Sequence, residues 1–173
     1  MKRLKQLLDE EHSKIQKDLI TKEILQGNIP INELIKVVKS NDGIYAQRGA
    51  YVITGIHDEN PLILKPFLKD LWESIQPKSH DAIPRAIYRL FANIDLTEEL
   101  EGKVFNDAVK TFMNKKTPIA IKAHIMITLT NVALKYPELK DEVIFLIKGQ
   151  LPKSSAGYQS TAKKELKRLG VKI

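Results

Sequence analysis

The side chains that could do chemistry are few and scattered. Four histidines, His12, His57, His80 and His124, lie far apart, and no HExxH pair or similar spacing would put two of their nitrogens on one metal. They read as surface or packing residues, and no metal site is expected. The run His57-Asp58-Glu59 holds an acid and a base side by side, but it falls where a helix should end and reads as a turn. The acid pairs Glu10-Glu11 and Glu98-Glu99 suit first helical turns or solvated faces. No cysteine is present, which removes disulfides, thiolate ligands and cysteine nucleophiles together. No GxxxxGK[ST] loop, GxGxxG turn or GxSxG elbow occurs, so nucleotide and hydrolase signatures are missing and no cofactor is expected.

Recurring cations are the more promising chemistry. Arg48-Gly49-Ala50-Tyr51 with Ile53, Arg85-Ala86-Ile87-Tyr88 with Leu90, and Lys122-Ala123-His124-Ile125 with Ile127 superpose at a constant offset of 37 residues. A weaker fourth copy, Ala162, Lys163 and Leu166, follows at an offset of 39. Arg48, Arg85 and Lys122 would therefore form a ladder, either paired with turn acids such as Asp42 and Asp81 or, with Arg89 and Lys163, lining a face that meets phosphates or carboxylates. Tyr45, Tyr51 and Tyr88 would share that face. Tyr158, in Ser154-Ser155-Ala156-Gly157-Tyr158, precedes the most basic helix. That stretch reads equally as an anion-receiving loop, with Ser154, Ser155 and helix N-terminal amides as donors, or as a cap in which Tyr158 covers the last helix pair.

These residues must be positioned by helices. Apolar residues recur at helical spacing in Leu4, Leu8, Ile15 and Leu19, in Leu34, Ile35 and Val38, in Phe67, Leu68, Leu71 and Ile75, in Leu100, Val104, Ala108 and Phe112, and in Leu139, Val143, Leu146 and Ile147. No stretch alternates as a strand would. Pro61, Pro118 and Pro137 mark helix starts, Thr117 is the expected cap before Pro118, and Ser79 or Asp81 is the expected cap of the helix containing Pro84. The pattern predicts a single all-α domain over 1–173: an N-terminal helix over 1–28, continuous from about 3 to 25, then helix pairs over 31–57, 61–94, 97–135 and 138–170. A period of 37 to 39 residues with two helices each fits stacked repeats, because one pair cannot bury its apolar face alone.

From Asn41-Asp42 through Arg48-Gly49-Ala50-Tyr51-Val52-Ile53 the chain resembles a HEAT repeat, with its acidic turn, its arginine early in the second helix and the small and aliphatic residues after it. The second and third copies keep this pattern more loosely. Taken whole, the chain is similar to a group of small, uncharacterised bacterial HEAT-like proteins that share Tyr136-Pro137-Glu138-Leu139-Lys140-Asp141-Glu142 and Ser154 to Ser160. The resemblance, over about 31–170, implies an α-α superhelix of the HEAT or armadillo type, about four helix pairs behind an N-terminal helix. It implies little about function, because repeat scaffolds host many roles.

Enzymes of helical architecture fit poorly. The serine-rich loop of adenylosuccinate lyases, with its Met, Pro, Lys and Asn, is not continued after Ser154-Ser155-Ala156-Gly157. HEAT-like DNA glycosylases use several tryptophans on a basic groove, whereas the one tryptophan here, Trp72, sits beside Leu71 and is expected in the core.

At 173 residues, 43% hydrophobic and 28% charged, the composition is that of a folded globular chain. Acids interrupt the first apolar run and Lys122 and His124 interrupt the longest later one, so neither an export signal nor a membrane span is expected, and the cytoplasm is the default location. The formal charge of +7 is concentrated at the end, where Lys148, Lys153, Lys163, Lys164, Lys167, Arg168 and Lys172 face one acid, Glu165. This tail is either the solvated face of a terminal repeat or a patch for an acidic partner. The leading expectation is a non-enzymatic protein-interaction or scaffold module with a protein partner. The alternative is a nucleic-acid binder using the basic concave or C-terminal surface. Candidate binding residues are Arg48, Tyr51, Arg85, Tyr88, Arg89, Lys122, Tyr158, Lys163, Lys164 and Lys167.

Overall fold

A computed structural model describes residues 2–151 and 155–172. Among them no strand occurs. Ten α-helices follow one another: α1 Lys2–Glu10, α2 Lys14–Leu25, α3 Ile31–Lys39, α4 Gly43–Glu59, α5 Leu68–Glu73, α6 Ala82–Phe91, α7 Glu98–Met113, α8 Ile119–Lys135, α9 Lys140–Gln150 and α10 Ala156–Arg168. Two 3-10 segments, Pro61–Phe67 and Pro137–Leu139, lead into α5 and α9. The chain divides into two compact units, Met1–Leu90 and Phe91–Ile173.

In the first unit α4 is the hub, packed against α1, α2, α3 and the segment Pro61–Phe67. Two glycines let its neighbours come close. A Cβ on Gly49 would lie 3.1 Å from Val38 Cγ2 of α3, and one on Gly55 would collide with Thr21 Oγ1 of α2. Ala46, Ala50, Val52, Ile53 and Ile56 fill the space around them and are buried. In the second unit α8 plays the same part, packed against α7, α9 and α10. Its neighbour α7 buries Leu100, Val104, Ala108 and Phe112, the stripe that the spacing predicts.

Three expectations about elements need correction. The N-terminal helix expected over 1–28 is two helices, separated at residues 11–13, with Ser13 capping α2 by accepting from the Gln16 amide. The helix expected from Pro61 opens as a 3-10 segment, because Pro66 inside it has no N–H to give an α-helical ladder. The capping forecasts also fail. The amide of Ala82 donates to His80 Nδ1 at 3.2 Å, rather than to Ser79 or Asp81, and Thr117 Oγ1 donates back to the Thr111 carbonyl instead of capping α8. Trp72 is half-buried on α5 and not a core residue.

Helix ends are finished in two ways. Gly27 and Gly170 adopt φ of +79° and +90° after α2 and α10, where the following amides, Asn28 and Val171, reach back to the Glu23 and Leu166 carbonyls. Elsewhere a side chain distant in sequence completes carbonyls at a helix end. The Arg48 guanidinium donates to the Leu8 carbonyl near the end of α1, and the Asn41 amide to the Ser74 carbonyl at 3.1 Å. In the second unit the Asn131 amide donates to the Ala92 carbonyl at 3.1 Å, and the Gln150 amide to the Phe112 carbonyl at 2.7 Å. Each such bond satisfies an acceptor that its own helix cannot.

Candidate functional site

Most of the expected ladder is committed to the fold. In the first unit Arg48 is spent on the Leu8 carbonyl and not on Asp42, which instead faces Lys5 at 3.7 Å. Tyr45 donates to Asp9 Oδ2 at 2.9 Å, and that bond holds its phenol above the usual tyrosine value. Tyr51 is half-buried under His12, ring centroids 5.3 Å apart, and Lys17. Arg89 donates to Asp58 Oδ1 at 2.8 Å. Tyr88 is fully buried and offers no surface to a partner, which removes it as a binding residue. Arg85 alone of the first unit's candidates is exposed on its helix.

Lys122 is the sharpest departure. It is 6% exposed, donates to Gln150 Oε1 at 3.0 Å and lies over the Phe112 ring, with burial lowering its pKa below the ordinary lysine value. The 37-residue offset preserves residue type here but not helical phase. Gly49, Ala86, Ile53 and Leu90 are buried, whereas Ala123 and Ile127, aligned with them, are half-exposed. The third copy has turned on its axis, carrying its cation inward.

Tyr158 answers the question the sequence leaves open. It is 2% exposed, its ring lies 6.4 Å from that of Phe112, and burial pushes its phenol up to about 12. It is an apolar cover for the α7–α8–α10 core and not a ligand-contacting aromatic. The Ser155 hydroxyl is used to cap α10, accepting from the Tyr158 amide at 3.3 Å, and Ser154 lies outside the described residues.

The remaining candidates, Lys163, Lys164 and Lys167, are exposed together on α10. Lys163 and Lys172 rim, with Lys148 of α9, a groove of about 420 Å³ floored by Leu151, Leu166 and Val171. Beside it a depression of about 700 Å³ gathers Lys163, Lys164, Lys167 and Lys172 around Gly170. No acid is among the described residues that line either. The nearest acid in sequence, Glu165, is buried and held by Arg168. The floor was missed at the level of sequence. Its signal is the glycine after α10: the turn at Gly170 folds Val171 back onto the last helical turn, its amide 3.0 Å from the Leu166 carbonyl.

A larger groove of about 820 Å³ runs beside Asn131, Lys135 and Arg168 in the same unit. Several of its polar groups are paired with one another. Glu101 accepts two bonds from Lys135 Nζ, both 2.8 Å, and one from the Tyr136 hydroxyl at 2.9 Å, which raises the pKa of both donors. Asn131 Oδ1 accepts from Arg168 at 2.8 Å while its amide holds the Ala92 carbonyl. Among the described residues no group of three or more His, Asp or Glu side chains converges on a common point, and no helix is long and apolar enough to cross a membrane.

Helix pairs joined across periods of 37 to 39 residues are what a repeat family would show, and the family model described as HEAT repeat domain matches residues 4–169. The chain belongs to the HEAT repeat domain family. The match extends the resemblance read from 31–170 to include α1 and α2, and the all-α repeat class expected from the spacing holds. Comparison of this HEAT repeat protein with curated proteins and with solved structures finds no match.

Proposed function

We propose that this HEAT repeat protein is a non-enzymatic interaction scaffold whose α10 face receives an acidic, amphipathic segment of a partner protein. One observation carries the reading: a lysine rim, Lys148, Lys163 and Lys172, encloses an apolar floor of Leu151, Leu166 and Val171, with Lys164 and Lys167 extending the cationic surface beside it. Carboxylates of a partner helix would meet the rim while its apolar side chains cover the floor, the arrangement by which grooves take amphipathic helices. An apolar floor favours this partner over a nucleic-acid backbone, which would want cations and exposed aromatic stacking faces rather than aliphatic carbons. The family supports an interaction role in general, and the shortage of catalytic constellations in the sequence agrees with it.

The test is affinity capture with the wild type and with Lys163→Glu/Lys164→Glu/Lys167→Glu, at low and at moderate salt. A protein retained by the wild type at both salts and lost on charge reversal supports the proposal. Nucleic acid as the sole retained species, released as salt rises, replaces it with the nucleic-acid reading.

A further inference from the structure

The break between α1 and α2 is made by side chains and not by residues that forbid a helix. Residues 9–14 read Asp-Glu-Glu-His-Ser-Lys, without glycine or proline. The bend is held by Ser13, which accepts from the Gln16 amide at 3.0 Å and donates to Glu11 at 2.5 Å, and by the Gln16 side-chain amide, 2.6 Å from the Leu7 carbonyl. Beyond the bend, Ile15 and Leu19 stand in solvent at 79% and 45% exposure. At 3.6 residues per turn an unbroken helix would place Leu4, Leu8, Ile15 and Leu19 within an arc of about 60°. The exposed pair thus continues the stripe whose first half, Leu4 and Leu8, is buried against α2 and α4.

The groove that holds α1 is marked by charge as well as by shape. It offers Glu23 to Arg3, Asp42 to Lys5, Tyr45 to Asp9 and Arg48 to the Leu8 carbonyl. A second copy presents the same set.

We propose that two copies of this chain exchange α1: residues 11–13 straighten, α1 and α2 become one helix, each α1 enters the other copy's groove, and Ile15 and Leu19 of the two copies pack together between them. Exchange of an identical element keeps the contacts of α1 with its groove, gives up the Ser13 and Gln16 bonds of the bend, and adds the buried Ile15 and Leu19 faces. The inference concerns the first unit alone and is independent of the α10 reading.

Light scattering coupled to size exclusion tests it, over a wide range of protein concentration, on three proteins. Lys14 is the first residue of α2 and Ser13 before it has φ −123° and ψ 164°, so Lys14→Pro fits the bent form, where proline at a helix start is tolerated and the residue before it is extended. In a continuous helix the same proline would be interior and disfavoured by roughly a hundredfold. Ser13→Ala removes the cap of the bent form, about fivefold for each of two hinges, and should lower the dimerisation midpoint about twenty-five-fold. The expected result is a concentration-dependent dimer for the wild type, a tighter one for Ser13→Ala, and a monomer of unchanged helical content for Lys14→Pro. A dimer that survives in Lys14→Pro, which keeps Ile15 and Leu19 exposed, overturns exchange in favour of simple face-to-face contact. Monomers throughout for wild type and Ser13→Ala overturn the proposal outright.

Discussion

Tyr158→Phe deletes one oxygen from the cover of the second unit and leaves its shape intact. The hydroxyl is buried with no hydrogen-bond partner among the described residues, and burying a hydroxyl without a partner costs about 1 to 3 kcal/mol. The phenylalanine variant should therefore be more stable than the wild type at neutral pH by about 1 kcal/mol or more. Alkali sharpens the prediction. The folded phenol stands at about 12 against 10.0 in an open environment, so the folded chain keeps a proton that the unfolded chain releases. A raised value of this kind leaves stability unaffected below pH 10 and erodes it as pH climbs from 10 towards 12. That step is worth about 3 kcal/mol when complete. Urea denaturation followed by far-UV circular dichroism, repeated from neutral pH upwards, should show the advantage of Tyr158→Phe widening above pH 10. Phenolate absorbance should show one slow-titrating tyrosine fewer in the variant. A variant less stable than the wild type by more than about 1 kcal/mol, or a difference that stays flat through pH 10 to 12, would refute the argument that this oxygen is dry and unpartnered.

Two further substitutions probe the hubs. Gly55→Ala forces a methyl group onto Thr21 Oγ1 and should destabilise the first unit by about 1 to 3 kcal/mol. The loss should shrink when Thr21 is also alanine, a coupling readable in thermal melts followed by the fluorescence of Trp72. Lys122→Met replaces a buried cation that donates to the Gln150 amide oxygen and, among the described residues, has no ion-pair partner. Because burial lowers the folded lysine's value below 10.5, the unfolded chain binds more protons in the interval beneath 10.5 and wild-type stability should rise with pH across it. Lys122→Met should lack that rise and stay within about 1 kcal/mol of the wild type at neutral pH. Loss of more than about 2 kcal/mol would show instead that the charge itself is needed.

The fold was legible because most helices carry an apolar stripe that the structure buries. Leu100, Val104, Ala108 and Phe112 are spaced as α7 requires, and all four are buried. The bend at 11–13 was not legible, since its cause is a serine hydroxyl and a glutamine amide in a run that would equally continue as helix. The candidate site was legible only where exposure follows from charge density. Three lysines within five residues of α10 cannot all turn inward, and Lys163, Lys164 and Lys167 are indeed outside. Lys122 went the other way because matching residue types at a fixed offset says nothing about helical phase. Tyr88 and Tyr158 are buried by tertiary packing that neither the offset nor the loop composition discloses. The apolar floor of the α10 groove depends on a glycine turn folding Val171 backwards, a tertiary event with a one-residue signature.

The side chains that finish another helix's carbonyls reach across 40, 33, 39 and 38 residues, for Arg48, Asn41, Asn131 and Gln150 in turn. In three of these joints the donor lies one period after its acceptor, and in the fourth Asn41 reaches forward to Ser74. A chain of this kind can lengthen by copying a whole period, since the copy brings a donor for its predecessor and an acceptor for its successor. Gain or loss of half a period would leave a helix end open inside the protein. The joints therefore set the increment by which such a gene can grow or shrink, in whole repeats and at their boundaries.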